Sequence, residues 1–447
     1  MLHTASLVVT LESCGKLLWN NLNRIYGDRA MMIKIKILIM VISILFLAMK
    51  PSWASDEKTI SLKELIDEAL ANNPEIKASK ERWEAAKAAV PQARSWEDPQ
   101  LSVMFDKIPD SSINPGASME REYSITQGFP YPGKLGLMGK MAEKEAQMIY
   151  EGYRGKGRDV LRDIKTAYYD YFMVHKAIEV NLETKEILHH LSKTAEARYA
   201  TGLVSQWDVL KAQIELSQLA NEIIILNQEK ESVRARINRL LNRPVESGLG
   251  EPEQIDNLKN IPHFELLEGK ALQERPELKE MEIGIEKENT GLSLAKKGYY
   301  PDFMVRLAQR EEDRSAAGWI AEVGVSIPLW FRAKQDYAVK ESLSRLDAVK
   351  NEYQGMKNMV SFEIKDALVK VKTSASLVEL HKSTHIPQAE QALKGARVAY
   401  ETGRVDFFAL MESWKTVKNY KLDYYKALAS FEQAWAELER AVGKELP

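Results

Sequence analysis

The stretch ALANNPEIK, Ala69 to Lys77, returns two hundred residues later as ALQERPELK, Ala271 to Lys279. The match is not isolated. At nearly the same offset Ala93 meets Ala295, Pro99 meets Pro301 and Val103 meets Val305. Phe129-Pro130 then meets Ile327-Pro328, Tyr153-Arg154-Gly155 meets Tyr353-Gln354-Gly355, and Ile164-Lys165 meets Ile364-Lys365. Further on, Tyr199, Thr201 and Gly202 meet Tyr400, Thr402 and Gly403, and Arg239 meets Arg440. A collinear series with so little drift is an internal duplication, and a duplication fixes the architecture before any single element is read.

Each copy follows one plan. A short helix (Leu62–Ala71, Leu266–Gln273) stops before a Pro-Glu pair that opens a second helix (Pro74–Ala93, Pro276–Lys297), where the missing proline N–H is not needed. Two strands come next. Leu101, Val103 and Phe105, then Tyr123, Ile125, Gln127 and Phe129, alternate with mostly polar or small neighbours. In the second copy Phe303, Val305 and Leu307, then Trp319, Ala321, Val323, Val325 and Ile327, do the same. Period two with one apolar face predicts antiparallel hairpins over about 100–106 with 121–129, and 302–310 with 319–327.

Long helices follow, over about 133–200 and 205–241, then 333–400 and 406–443. No proline falls between Pro132 and Pro244, and only Pro387 interrupts Leu329 to Leu446. The first rod would reach about 100 Å at ~1.5 Å per residue, with Gly152, Gly155 and Gly157 as places where it could loosen. Leu410, Trp414, Val417, Lys421, Tyr424, Leu428, Phe431, Trp435, Leu438 and Val442 step strictly by four and three. So do Leu216 to Leu240 and Val160 to Ile178, and a sustained 3.5-residue period predicts left-handed packing of long antiparallel helices. These aromatic stripes are packing seams.

The first unit spans 58–250, a linker 251–262, and the second unit 263–446. Ahead of them, Lys34 and Lys36, an apolar run from Ile37 to Ala48, and small residues Ser52 and Ala54 read as a cleaved secretory signal peptide. Residues 1–30 show no pattern and read as an upstream extension, with Met31 or Met32 as alternative starts. Leu11-Glu12-Ser13-Cys14 has no basic region before it and is not read as a lipidation box. Removing residues 1–54 takes six Lys/Arg and two Asp/Glu, leaving 56 against 62, a net of −6, and no cysteine. Across all 447 residues the formal charge is −2, too even for a nucleic-acid binder. A mean hydropathy of −0.34 excludes a polytopic helical membrane protein while leaving a β-barrel open.

Four strands per chain cannot close a barrel. Two separate hairpins would leave four bare edges, which natural proteins avoid. Nine residues at ~3.3 Å, tilted ~40°, give roughly 23 Å of height, near the apolar band of an outer-membrane barrel. Several chains pooling their strands in a membrane is one reading, with Arg306, Arg310 and Glu322 facing the lumen. A soluble sheet packed on the helices is the other.

At the far ends, Gly202 and Gly403 stop the long helices in the left-handed conformation. Ser205 with Asp208 reads as a capping box and Asp406 as an N-cap. His381 and His385 lie four apart on a helix, with His189-His190 in the matching region. No carboxylate or cysteine completes a set beside them, so no metal site is expected. No phosphate loop, nucleophile elbow or HExxH pattern occurs, so neither catalysis nor a cofactor is expected.

The paired Ala-Leu-x-x-x-Pro-Glu starts, the segment QGFPYPGK (Gln127 to Lys134) and the two tips resemble the TolC-like outer-membrane efflux channel family. The tips run from Arg198 and Tyr199 to Asp208, and from Arg397 through Tyr400 to Asp406. The likeness covers about residues 58–446, and Phe129 to Lys134 resembles the heavy-metal, CzcC-like branch. It implies a mainly α fold with a small β part: a long coiled-coil α-barrel and four strands given to a shared, trimeric, twelve-stranded transmembrane β-barrel. It implies a homotrimer in the outer membrane lipid of a Gram-negative bacterium, with a large periplasmic portion. The duct would be passive, joined by a periplasmic adaptor (membrane fusion) protein to an inner-membrane pump for metal ions or small toxic compounds. The adaptor would dock at Arg198, Tyr199, Thr201, Gly202, Ser205, Asp208, Arg397, Tyr400, Thr402, Gly403 and Asp406. Alternatives are a soluble periplasmic coiled-coil scaffold or adaptor-like protein, and a duct for type I protein secretion.

Overall fold

The computed structural model describes residues 59–255, 258–313 and 315–446. The signal peptide and upstream extension lie outside the described residues. Each unit begins with two short helices, α1 Leu62–Asn72 and α2 Pro74–Arg94 in the first. Strands β1 Gln100–Asp106 and β2 Glu120–Phe129 follow, then the long α3 Lys134–Ala200 and its return α4 Gln206–Leu241. The second unit has α5 Phe264–Glu274, α6 Pro276–Lys297, β3 Asp302–Glu312 and β4 Ser315–Ser326. Its outgoing rod is α7 Gln335–Leu380, a π-turn His381–His385 and α8 Ile386–Glu401, and α9 Phe407–Val442 returns. Among the described residues no helix is long and apolar enough to cross a membrane.

The duplication is visible in the packing. Leu65, Ala69, Ile76, Val160, Ile164 and Ala167 form one core, and their repeat equivalents Leu267, Ala271, Leu278, Val360, Ile364 and Ala367 form the other. The 3.5-residue seams are buried as their spacing requires: Leu410, Val417, Leu428, Phe431, Trp435, Leu438 and Val442 on α9, Val160 to Val174 at the same spacing on α3. Gly152, Gly155 and Gly157 do not loosen the rod, for α3 runs unbroken through all of them.

The second rod departs from the expected continuous helix over 333–400. From Tyr153 and Tyr353 to Ile164 and Ile364 the copies are offset by two hundred residues; by Tyr199 and Tyr400 the offset has grown by one. The π-turn lies between these markers, where Ile386 N–H reaches back to His381 O. A π-turn takes up one extra residue without ending a helix, and Pro387, lacking an N–H, begins the next α-segment. One inserted residue is thereby absorbed and the register below it restored.

The strands also differ from two separate hairpins. β2 pairs with β3 across the two units, giving one antiparallel sheet in the order β1-β2-β3-β4, whose free edges are β1 and β4. The register aligns Leu101, Ile125, Leu307 and Ala321 in one row, and Val103, Tyr123, Gln309 and Trp319 in the next. This apolar face meets no core: Leu101 is 80% exposed and Trp319 75%.

Candidate functional site

The sheet and the helix tips are the two ends of the molecule where chemistry faces outward. On the sheet, the face opposite the apolar rows is polar. Thr126, Arg306 and Glu322 share one cross-strand row, and Glu122 and Arg310 another. Arg306 is ion-paired to Glu122 and, at 3.1 Å, to Glu322, while Arg310 reaches Glu122 at 3.7 Å. Arg306, Arg310 and Glu322 lie together on this face, opposite the apolar rows. The residue that sequence reasoning missed is Glu122, the most enclosed of the four at 4% exposure and the one that joins the arginines. It was hidden because the pairing of β2 with β3 joins strands from different copies of the repeat.

The segment QGFPYPGK turns the sheet into the rods. Gly133 caps α3 at a φ of 92°, in the left-handed region that suits glycine. Lys134 Nζ grips Asp302 at 2.7 and 2.9 Å, and Tyr131 N–H donates to the same carboxylate at 2.6 Å. Tyr131 stacks on Tyr300 at 4.5 Å, with the Lys297 ammonium over both rings. The entry to one rod is thus bolted to the start of β3.

At the other end, both rods stop in the same motif. Gly202 N–H donates to Tyr199 O and Leu203 N–H to Arg198 O; Gly403 and Arg404 repeat this with Tyr400 and Ala399. These are Schellman motifs, with both glycines at positive φ. Thr201 and Thr402 hydroxyls tie down their own last turns, bonding Arg198 O at 3.0 Å and Ala399 O at 3.1 Å. Asp406 caps α9 as predicted, accepting from Ala409 N–H at 2.9 Å. Ser205 does not complete a capping box: its hydroxyl turns to the Asp208 carboxylate at 3.3 Å and accepts nothing from the backbone.

The two tips are not symmetric. Arg198 donates to Tyr400 O at 2.9 Å and lies over the Tyr400 ring, which packs edge-on against Phe407. Tyr400 is 4% exposed, whereas its counterpart Tyr199 is 47% exposed. Burial raises the Tyr400 hydroxyl pKa, a rise the adjacent Arg198 opposes. Arg397 stays outside this contact and pairs with Glu401 on its own helix. Leu203, Trp207 and Phe408 are left exposed around the turns.

Just behind the tips, Glu215 accepts from Lys415 at 2.7 Å and Glu222 from Lys418 at 2.8 Å, beside Trp414 in a cavity of about 240 Å³. Burial would raise the Glu215 pKa, but its bonds to Lys415 and Lys211 prevail and hold it below the usual carboxylate range. Neither pair was foreseen, since each joins α4 to α9 across the duplication. Among the described residues no group of three or more His, Cys, Asp or Glu is placed to hold a metal.

The sequence matches a family model described as outer membrane efflux protein over residues 65–243 and 267–444. Among characterised proteins, the cobalt-zinc-cadmium resistance protein CzcC of Cupriavidus metallidurans is 20% identical over 385 residues, covering 86% of this chain and 90% of that one. Among solved structures, the outer membrane protein VceC of Vibrio cholerae superposes with a TM-score of 0.73 at 16% identity, over 86% of this chain and 97% of that one. The Campylobacter jejuni CmeC outer membrane channel gives 0.72 at 16% identity, over 88% of each chain. At such identities the structural likeness is one of fold.

Proposed function

The chain belongs to the outer membrane efflux protein family, and we propose that it works as a trimeric, passive exit duct fed by an inner-membrane pump through a periplasmic adaptor. The observation that carries this reading is the sheet: a bare apolar face, a polar opposite face and two unpaired edges, at one end of the long helices. Exposed apolar area of this kind is a liability in water and an asset in lipid. Pairing β4 of one copy with β1 of the next would remove both edges and close a barrel of three sheets. The Glu122–Arg306–Arg310–Glu322 cluster would then line the lumen, and the rods would continue the passage across the periplasm. A soluble scaffold would have no use for the exposed Leu101 and Trp319.

The adaptor's place is the ring of tips, where Leu203, Trp207 and Phe408 offer apolar contacts around turns fixed by Gly202 and Gly403. Cobalt-zinc-cadmium resistance, in the name of the similar protein from Cupriavidus metallidurans, supports divalent metal ions as cargo. Selectivity in such a duct comes from width and lining charge. Fractionation of cells expressing the chain tests the reading: a trimer that dissociates on heating is expected in the outer membrane. Recovery only as a soluble periplasmic monomer would overturn it.

The lumen assignment has its own test. Replacing Glu122→Gln removes the carboxylate between Arg306 and Arg310, leaving the cluster more positive. In planar bilayers the cation-to-anion permeability ratio is expected to fall by about twofold. An unchanged ratio in a correctly assembled trimer would place this cluster elsewhere.

A further inference from the structure

We infer that His381 and His385 form a two-imidazole chelate for a transition-metal dication of the zinc class, set in the wall of the second rod. The inference does not rest on the efflux reading. It starts from the π-turn. In an α-helix, residues four apart are offset around the axis. Here the bond from Ile386 N–H to His381 O spans five residues, so the helix is widened over the segment that His381 and His385 bound. The two rings meet edge-on, at 73° with centroids 4.9 Å apart, and their Nδ1 atoms lie 3.2 Å apart, close enough for one to donate to the other when no ion is bound.

That separation suits a shared cation. With each nitrogen at 2.0–2.1 Å from a zinc ion, a 3.2 Å edge corresponds to an N–metal–N angle of about 103°, near the tetrahedral value. The rings are held in place before any ion arrives. His381 is 8% exposed. Tyr420 of α9 stacks on His385 with centroids 4.7 Å apart and lies 6.1 Å from His381. Pro387 and the inserted residue account for a π-turn at this point, but they do not require an imidazole at each end of it. His189 and His190, in the matching region of the first unit, lie on an unbroken α-helix and are adjacent in sequence, so they point apart.

The sequence-level objection was the want of a third ligand, and the structure supplies none among the described residues. The consequence is a site of two protein ligands, with its remaining positions left to water or to whatever accompanies the ion. Such a site is exchangeable, unlike the closed four-ligand sites that hold structural zinc. Occupancy would clamp the π-turn and pin the junction of α7 and α8 opposite Tyr420.

Zinc ion is the probe. Untagged full chain in detergent is titrated with Zn²⁺ against a chromophoric competing chelator. The expected result is one equivalent per chain that disappears in His381→Asn and in His385→Asn, and survives in His189→Asn/His190→Asn. His385 is the more accessible of the two, so its variant decides the matter should the buried His381→Asn fail to fold, and thermal melting of each apo chain reports on folding. Equal zinc uptake by the wild type and the His381→Asn/His385→Asn double variant overturns the proposal. So does a loss that His189→Asn/His190→Asn produces equally.

Discussion

A chain carrying Gly202→Val and Gly403→Val is expected to assemble in the outer membrane and to leave a deletion strain as sensitive as no protein at all. The backbone at these positions has φ of +72° and +71°, and both residues close Schellman motifs through their own N–H groups. A side chain there costs roughly 1–2 kcal/mol in the left-handed conformation, and valine's branching is the worst case. Nothing lies within 4 Å of a Cβ built at either site, so the cost is conformational and confined to the turns. The cores midway along the rods, around Ile164 and Ile364, are untouched. Each turn is expected to re-form with a different exit direction, moving Leu203, Trp207 and Phe408 away from where an adaptor would meet them. Asparagine tolerates the left-handed region, so Gly202→Asn/Gly403→Asn should restore most of the export. Full resistance from a correctly assembled valine double variant would refute docking at these tips.

The prediction draws on the part of the molecule that was most legible. The two glycines, the period-3.5 seams and the Pro-Glu helix starts are local signals, because each is set by backbone geometry within a few residues. The alternating strands were legible for the same reason, down to which side chains share a face. What could not be read were contacts joining residues from different copies of the repeat. Glu122 with Arg306, Arg198 with Tyr400, and Lys415 with Glu215 are separated by about two hundred residues, and no helix or strand period relates them. Ser205 was misread because a hydroxyl with an acidic side chain in reach has two partners to choose from. The π-turn was missed although its trace was in the sequence. A repeat offset that grows by one between Ile164 and Tyr199, inside an otherwise helical stretch, needs a residue to be absorbed somewhere, and Pro387 favoured that place.

Replacing Arg275→Leu is expected to destabilise the fold by about 3 kcal/mol, the scale for removing one partner from a buried ionic cluster. Arg275 occupies the repeat position of Asn73, and the two solve one problem differently. Asn73 accepts from Glu75 and Ile76 N–H at the start of α2 and donates Nδ2 to Leu240 O, near the end of α4, at 2.9 Å. Arg275 sits at the start of α6 and donates to Ala441 O, near the end of α9, at 3.2 Å. Each residue therefore ties the first turn of one helix to the last turn of the returning rod. Arg275, 2% exposed, also binds Glu277 at 3.2 Å and Glu363 at 2.6 Å. Leucine would leave Ala441 O without that donor and the two carboxylates dependent on Arg440, whose nitrogens lie 2.9 Å from Glu277 and 3.6 Å from Glu363. Because Arg440 remains, the loss falls at the lower end of the range for buried pairs. The backbones are closely packed here, for a Cβ at Gly443 would stand 2.9 Å from Arg275 Cα. Thermal unfolding of the purified protein, followed by circular dichroism, should show a lowered midpoint for Arg275→Leu. Arg275→Leu/Glu363→Leu is expected to recover part of it by removing a stranded charge, since residues in one network do not add independently. An unchanged midpoint for the single variant would mean that Arg440 alone satisfies both carboxylates.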